Sequence, residues 1–490
     1  MTVESEAEVR PRPPRRSSTR RWPPVTSVVL GIGFAVWGLS IGIDQLSDNS
    51  FFTHLATGRL ILVDGVPRHD PYSFTANGQP WVVQSWLASL IYAWTESWFG
   101  PNGIRVVMGL LTASLGALAW RLTRPARSLA GRLVIAGCVV GIGASVWSSR
   151  PLLFGLVFLA LTLLVAEKGL DPRWLLPIFW LWVNTHGSFP LGLVLLVCLW
   201  AGRRLDGKPG SIEFRALLWA AGGTALGVLN PLGFSLLSFP VHLLGRMAVL
   251  RQIVEWRSPS FANAWDRLFL LQVMIGVVAL VRRPSYRAAI PLVVFTAAAL
   301  VGLRNVPVAS LVLIPGTARG LAGLGSIRGD QRSRAAGVMV VVMALVAVLV
   351  VRTALAQPAF DLTPYPVDAV SWLDQNGLRR PDLAMLSPDL VGNYLELLDG
   401  RQAHVFIDDR VDMYPKPVVD DFVLLQQGRP GWRDALDRRG VDLVLWPKSQ
   451  PLANVLAESA DWRTLYQDGT WTVACRRGTD LGGTGQLETC

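Results

Sequence analysis

The chain has 490 residues, of which 51% are apolar and only 17% charged, and its mean hydropathy is +0.38. A soluble globular domain carries about 25% charged residues, so this composition excludes an ordinary soluble enzyme. The net charge of +11 does not indicate nucleic-acid binding, because residues 357–490 hold 20 acidic and 13 basic residues whereas the first 356 hold 15 and 33.

Residues 1–24 are basic and Pro-rich, with six Arg between Arg10 and Arg21, a composition that does not fold alone. Arginines directly before the first apolar run, 25–43, place the N-terminus in the cytoplasm. The polar loop 44–84 then emerges on the outer face. Further apolar runs are read at 86–99, 104–121, 132–148 and 151–166. The stretch 173–202 is one long span or two short ones, broken around Asn184-Thr-His186-Gly187 and Pro190. More follow at 214–229, 234–249, 266–281, 287–302, 305–322 and 335–355. Runs of this kind recur too often for a signal peptide and predict about 11–13 transmembrane helices in a domain covering 25–356. Four Arg between Arg121 and Arg132 favour the cytoplasm, which conflicts with simple alternation after two short spans at 86–121. Arg319, Arg328, Arg332 and Arg334 flank the last span on one side and Arg352 alone on the other. That asymmetry sends the C-terminal region to the extracytoplasmic side.

From Gln357 onward the apolar runs shorten to strand length: Leu383–Leu386, His404–Asp408, Val441–Trp446, Thr464–Tyr466 and Thr470–Ala474. Helical patterns alternate with them at Val367–Gln375, Leu390–Leu398, Trp432–Arg438 and Leu452–Ser459. Residues 357–490 therefore read as a small α/β domain. It has no Gly-rich phosphate loop. Cys475 and Cys490 can pair if this tail is outside the cytoplasm, whereas Cys138 and Cys198 lie in apolar runs. No Cys/His spacing suggests zinc.

Chemistry-bearing residues concentrate in few places. In the first polar loop, Asp44 and Asp48 stand four residues apart, followed by His54, His69-Asp70 and Trp81. Carboxylates at a dry interface either take a proton from a hydroxyl acceptor or hold a divalent metal beside a phosphate; the plainer alternative is that Asp44 and Asp48 cap helices. Asn184 and His186 lie within an apolar stretch, where polar groups either face a cavity or bond between helices. Arg150-Pro151 and Arg304-Asn305 place an Arg at a helix end, either to fork onto a lipid phosphate or to snorkel. Asn230-Pro231 and Glu255-Trp256 are weaker interface candidates. In the tail, Asp408-Asp409-Arg410 follows an expected strand, at the edge where α/β sheets bind ligands, or else forms a capped loop with an Arg–Asp pair.

In order along the chain, these pieces resemble a bacterial family of polytopic proteins of the GT-C glycosyltransferase type. The matching segments are Asp48-Asn-Ser50-Phe-Phe-Thr-His54-Leu-Ala-Thr57-Gly58, Pro67-Arg-His69-Asp70-Pro71-Tyr-Ser73, Gly78-Gln-Pro80-Trp81 and Gln84-Ser85-Trp86-Leu87. Later ones are Trp182-Val-Asn184-Thr-His186-Gly187, Asn230-Pro231-Leu-Gly233, Glu255-Trp256 with Pro259, and Ile407-Asp408-Asp409-Arg410. The resemblance covers most of the chain. It implies a GT-C-like membrane domain that transfers a sugar from a polyprenyl-phosphate-linked donor to a cell-envelope acceptor on the outer face. Asp48 would act as base or metal contact with Asp44 and Asp70 supporting it, and Arg residues would hold the donor phosphate. Two family acids are missing: Ser50 stands where the second Asp of Asp-x-Asp is expected, and Gln84-Ser85 where His-Glu is expected. The competing expectation is a non-catalytic scaffold that keeps the fold and binds the lipid or a protein. A transporter is third, because the sequence shows no inverted repeat.

Overall fold

The computed structural model describes residues 25–246, 256–322, 334–482 and 489–490. The basic N-terminus 1–24, Glu255, Arg328 and Arg332 lie outside the described residues. The first apolar run forms α1 (Val25–Gly42), which holds no charged residue. Within the following polar loop, α2 (Asn49–Asp64) starts where the Asp48 side chain accepts the Ser50 N–H. The runs expected at 86–99 and 104–121 are two helical segments that meet at a kink at Gly100 (φ 65°), together α3 (Trp86–Leu122). A Cβ resists that backbone angle, and the following Pro101 has no N–H for the ladder, so the bend sits there.

The chain continues as α4 (Leu129–Val146), α5 (Leu152–Ala166), α6 (Leu175–Thr185), α7 (Phe189–Leu205), α8 (Ser211–Leu226) and α9 (Ser235–Gly245). Then follow α10 (Ala264–Arg282), α11 (Tyr286–Val301), α12 (Val306–Gly320) and α13 (Arg334–Leu355). Residues 173–202 thus hold two helices, parted at His186-Gly187-Ser188. Among the described residues, five helices are long and apolar enough to cross a membrane, Val25–Gly42, Trp86–Ala126, Leu129–Val146, Ala264–Arg282 and Gly337–Leu355, and α5, α9 and α11 are shorter apolar helices. The protein is a polytopic helical membrane protein.

Residues after α13 form an α/β domain: α14 (Val367–Gln375), β1 (Met385–Leu386), α15 (Asp389–Asp399), α16 (Lys416–Gln426), α17 (Trp432–Arg438), β2 (Leu443–Pro447), α18 (Pro451–Ala457), β3 (Trp462–Gln467) and β4 (Trp471–Arg476). The sheet order is β1-β2-β4-β3, with β1 parallel to β2 and the other pairs antiparallel. Cys475 of β4 is bonded to Cys490; Cys138 and Cys198 are buried free thiols.

Two expectations for this domain need correction. The apolar run 404–408 does not enter the sheet. Its backbone pairs instead with the first polar loop, where Phe74 N–H donates to Val405 O at 3.1 Å and Val405 N–H to Tyr72 O at 3.0 Å. A strand-like run needs an edge, and here that edge comes from more than 300 residues upstream. Helix α16 was not anticipated, because Pro415-Lys-Pro417 disguises its start; a proline is tolerated in the first turn.

α1 and α3 pack at backbone distance. A Cβ on Gly116 would run into the Phe34 carbonyl, and small residues at such crossings let membrane helices approach. Gly116→Val is expected to lower the melting temperature of the detergent-solubilised protein, by the ~1–3 kcal/mol typical of overpacking. An unshifted melt would show that α1 is not held by this contact.

Candidate functional site

Asp48 serves two purposes. As the α2 cap it accepts the Ser50 N–H at 3.1 Å and the Ser50 hydroxyl at 2.8 Å. Its second oxygen receives Arg150 Nε at 2.5 Å, from the turn preceding α5. Burial pushes this carboxyl up, but Arg150, Ser148 and Ser50 outweigh that and hold it below its ordinary value. Asp48 is thus an anion committed to a guanidinium. One turn along α2, His54 contacts Ser89 Oγ through Nδ1 at 3.1 Å; burial lowers it to about 4, so its ring is neutral.

The second constellation is buried between the first polar loop and the C-terminal domain. The Arg410 guanidinium lies 2.7 Å from Asp70, 2.6 Å from Asp408 and 3.5 Å from Glu396, with all three carboxylate side chains 0% exposed. It also lies over the Trp81 and Tyr72 rings, at 4.4 and 4.9 Å from their centroids. Tyr414 donates to Asp408 at 2.6 Å, and Thr53 Oγ1 lies 2.5 Å from Glu396 Oε2. Asp70 is further held by the Ser73 N–H and hydroxyl. Three carboxyl groups around one cation carry an excess of negative charge, so one keeps a proton. Burial first, then the neighbouring Asp408 carboxylate, pushes Glu396 well above the carboxylate range. Asp408, against its own burial, is held low by Arg410 and by hydrogen bonds from Glu396 and Tyr414.

Between these two clusters lies a cavity of about 720 Å³. Its cationic lining comes from the helical region, as Arg150, Arg257 and Arg304 with His186. Its carboxyl lining comes from the C-terminal domain, as Asp389, Asp409 and Asp412. Arg150 precedes α5 and Arg304 precedes α12, so helix N-termini add partial positive charge there. Arg304 stacks over the Trp256 ring at 4.2 Å. His186 Nδ1 accepts the Ser188 N–H at 3.2 Å, which leaves Nε2 to carry the ring proton. Asp409 is pushed well above its ordinary value by burial and then by Asp408, with Arg150 opposing. Asp389 and Asp412 are raised chiefly by burial. The cavity pairs three cations with three carboxyls that burial raises above their ordinary value.

The expected convergence of Asp44, Asp48 and Asp70 does not occur. Asp44 is exposed after α1, and its carboxylate accepts the neighbouring Gln45 N–H at 2.8 Å. Asp70 belongs to the Arg410 cluster. His69 is exposed and bridges to Pro80. Trp81 packs on Arg410 and Tyr72. Asn184 joins α6 to α3, accepting Trp86 Nε1–H at 3.0 Å, the interhelical alternative for that residue. Asn230 closes its own turn by accepting the Leu232 N–H. Of the residues singled out in sequence, Arg150, His186, Arg304 and Asp409 line the cavity, while Asp408 and Arg410 stand behind it. Gln84, in the place of a family His, accepts the Gly187 N–H at 2.7 Å and also lines the cavity.

Arg257, Asp389 and Glu396 were not anticipated. Arg257 follows Glu255-Trp256 directly, and Asp389 opens a helix; neither carries a signal that separates it from a loop charge. Among the described residues, no group of three or more His, Cys, Asp or Glu is placed to hold a metal ion.

No family model matches this chain, and no curated protein sequence does. Among solved structures, it is similar to the archaeal oligosaccharyltransferase AglB from Archaeoglobus fulgidus, determined in complex with an inhibitory peptide and a dolichol-phosphate. The TM-score is 0.49 at 11% identity, over 86% of this chain and 69% of that one.

Removing Arg410 leaves buried anions without a cation, a loss of about 3–5 kcal/mol in such settings. Arg410→Gln is accordingly expected to lower the melting temperature sharply, and a wild-type melt would show the cluster is not structural. Glu396 keeps in the folded state a proton that an unfolded chain releases near ~4.3. Its contribution to stability is therefore full at acidic pH and is lost as pH rises through its raised folded-state value. Glu396→Gln should flatten the decline of melting temperature with rising pH. Asp389, Asp409 and Asp412 act in the same direction, so the slope is reduced and not abolished. An unchanged slope would exclude Glu396 as a proton carrier.

Proposed function

We propose that this protein is a GT-C-like membrane glycosyltransferase. In this reading a polyprenyl-phosphate-linked sugar donor binds with its phosphate at Arg150, Arg257 and Arg304, and the sugar passes to a cell-envelope acceptor on the outer face. The observation that supports it most is the cavity in which three arginines meet an apolar lining. Arg forks suit phosphate oxygens, and apolar walls suit a lipid carrier. The ordered motifs from Asp48 to Arg410 support the same class. The reading places the N-terminus in the cytoplasm and the C-terminal domain outside.

In the reaction, the bond between the anomeric carbon and the phosphate oxygen breaks, and the acceptor hydroxyl forms the new bond and loses its proton. Charge develops on the departing polyprenyl phosphate, where fixed guanidinium groups are worth most. The proton needs a base whose affinity is near working pH. Asp409 fits that need better than Asp48, because burial raises Asp409 whereas Arg150 holds Asp48 down. Asp48 then acts as a positioning residue that fixes the Arg150 guanidinium.

A second reading is favoured by specific observations. Asp48 is neutralised by Arg150, and Ser50 and Ser85 stand where the family has acids. A non-catalytic member would bind the lipid and transfer nothing.

Transfer from a radiolabelled polyprenyl-phosphate sugar separates the two. Asp409→Asn is expected to lose at least about a hundredfold in turnover, the usual span for general-base removal, with donor binding kept. Arg304→Ala should weaken donor binding about tenfold or more, as loss of a hydrogen bond to a charged group does. Binding without release of polyprenyl phosphate by the wild type would establish the second reading. Full turnover in Asp409→Asn would remove that residue as base.

A further inference from the structure

Two helices remote in sequence supply much of the apolar lining of the cavity. α9 contributes Phe239, Leu243 and Leu244, and α16 of the C-terminal domain contributes Val419, Phe422 and Val423. The α16 residues fall at positions i, i+3 and i+4, one face of a helix. Its acids are committed elsewhere: Asp420 pairs with Lys416, and Asp421 with Arg438 and Arg439. The apolar face of α16 is thus shared between the domain core and the cavity. α9 is a short apolar helix and forms a wall one helix thick. Leu244 lines the cavity and is still 68% exposed, beside Val241, which is also 68% exposed. The cavity lining therefore has an exposed apolar edge at α9 in addition to its arginines.

We propose that the slot between α9 and α16 holds the apolar chain of a lipid phosphate whose headgroup lies at the arginines. The chain would enter past Leu244, and the C-terminal domain would be one wall of the lipid site. This rests on the phosphate-binding reading above and adds to it a position for the chain and a role for α16. A cation-lined pocket for a soluble phosphate has no need of two facing apolar walls, and an uncharged lipid has no need of three arginines.

The test uses the full chain in detergent, with decaprenyl phosphate, citronellyl phosphate and inorganic phosphate as probes. Wild type is expected to bind the long-chain phosphate at least about tenfold more tightly than the short one, since affinity grows with buried apolar area. Leu243→Gln and Val423→Gln should each reduce that preference severalfold and leave inorganic phosphate binding unchanged. Val423→Leu, apolar and larger, should retain it, which separates loss of the wall from loss of folding. Arg304→Ala should weaken both lipids alike. If Val423→Gln keeps the full chain-length preference, α16 is not a wall of the site and the inference fails. If wild type binds all three probes equally, an anion site exists without a chain slot: the inference fails and the phosphate reading stands. If wild type binds none of them, the phosphate reading itself fails and takes the inference with it.

Discussion

A single buried guanidinium sets the arrangement on which the rest of this molecule depends. Arg410 lies where water does not reach, and a cation there is stable only when surrounded by carboxylates and ring faces. Asp70 comes from the first polar loop, Asp408 and Glu396 come from the C-terminal domain, and Trp81 and Tyr72 close over the group. Satisfying that one charge requires the loop and the domain to meet in one register. The paired backbones of 72–74 and 405 follow from the same meeting.

Once the register is set, the cavity is a consequence. Residue 409 follows Asp408 directly, so anchoring Asp408 behind the wall aims its neighbour at the space where the arginines lie. Asp389 and Asp412 reach that space from the same domain. The helical region supplies the opposite charge from turns that open α5 and α12. Neither half contains a complete site. The cationic side alone would be a row of membrane-edge arginines, and the acidic side alone a capped loop.

Much of the fold was legible because hydropathy and helix-breaking residues act locally. The apolar runs became helices, Asn184 to Gly187 parted α6 from α7, and the sheet-forming runs near 385, 443, 464 and 472 paired as a small α/β domain. The run 404–408 misled because strand-like composition reports a need for an edge and does not name the partner. The acids misled for a related reason. Asp44, Asp48 and Asp70 looked alike in sequence, yet one is exposed at the surface, one is paired with Arg150 and one is buried under Arg410. Their chemistry was decided by which cation each met.

The sequence by itself determined a polytopic helical membrane protein with a C-terminal α/β domain, because lipid solubility and periodicity are properties of neighbouring residues. It also marked Arg150, His186, Arg304 and Asp409 as residues with a reason to be noticed. Only the tertiary structure decided that these four share a cavity with Arg257, Asp389 and Asp412, and that Glu396 holds a proton beside Asp408. Charge interactions depend on distance and burial, and contacts spanning more than 300 residues leave no trace in local spacing.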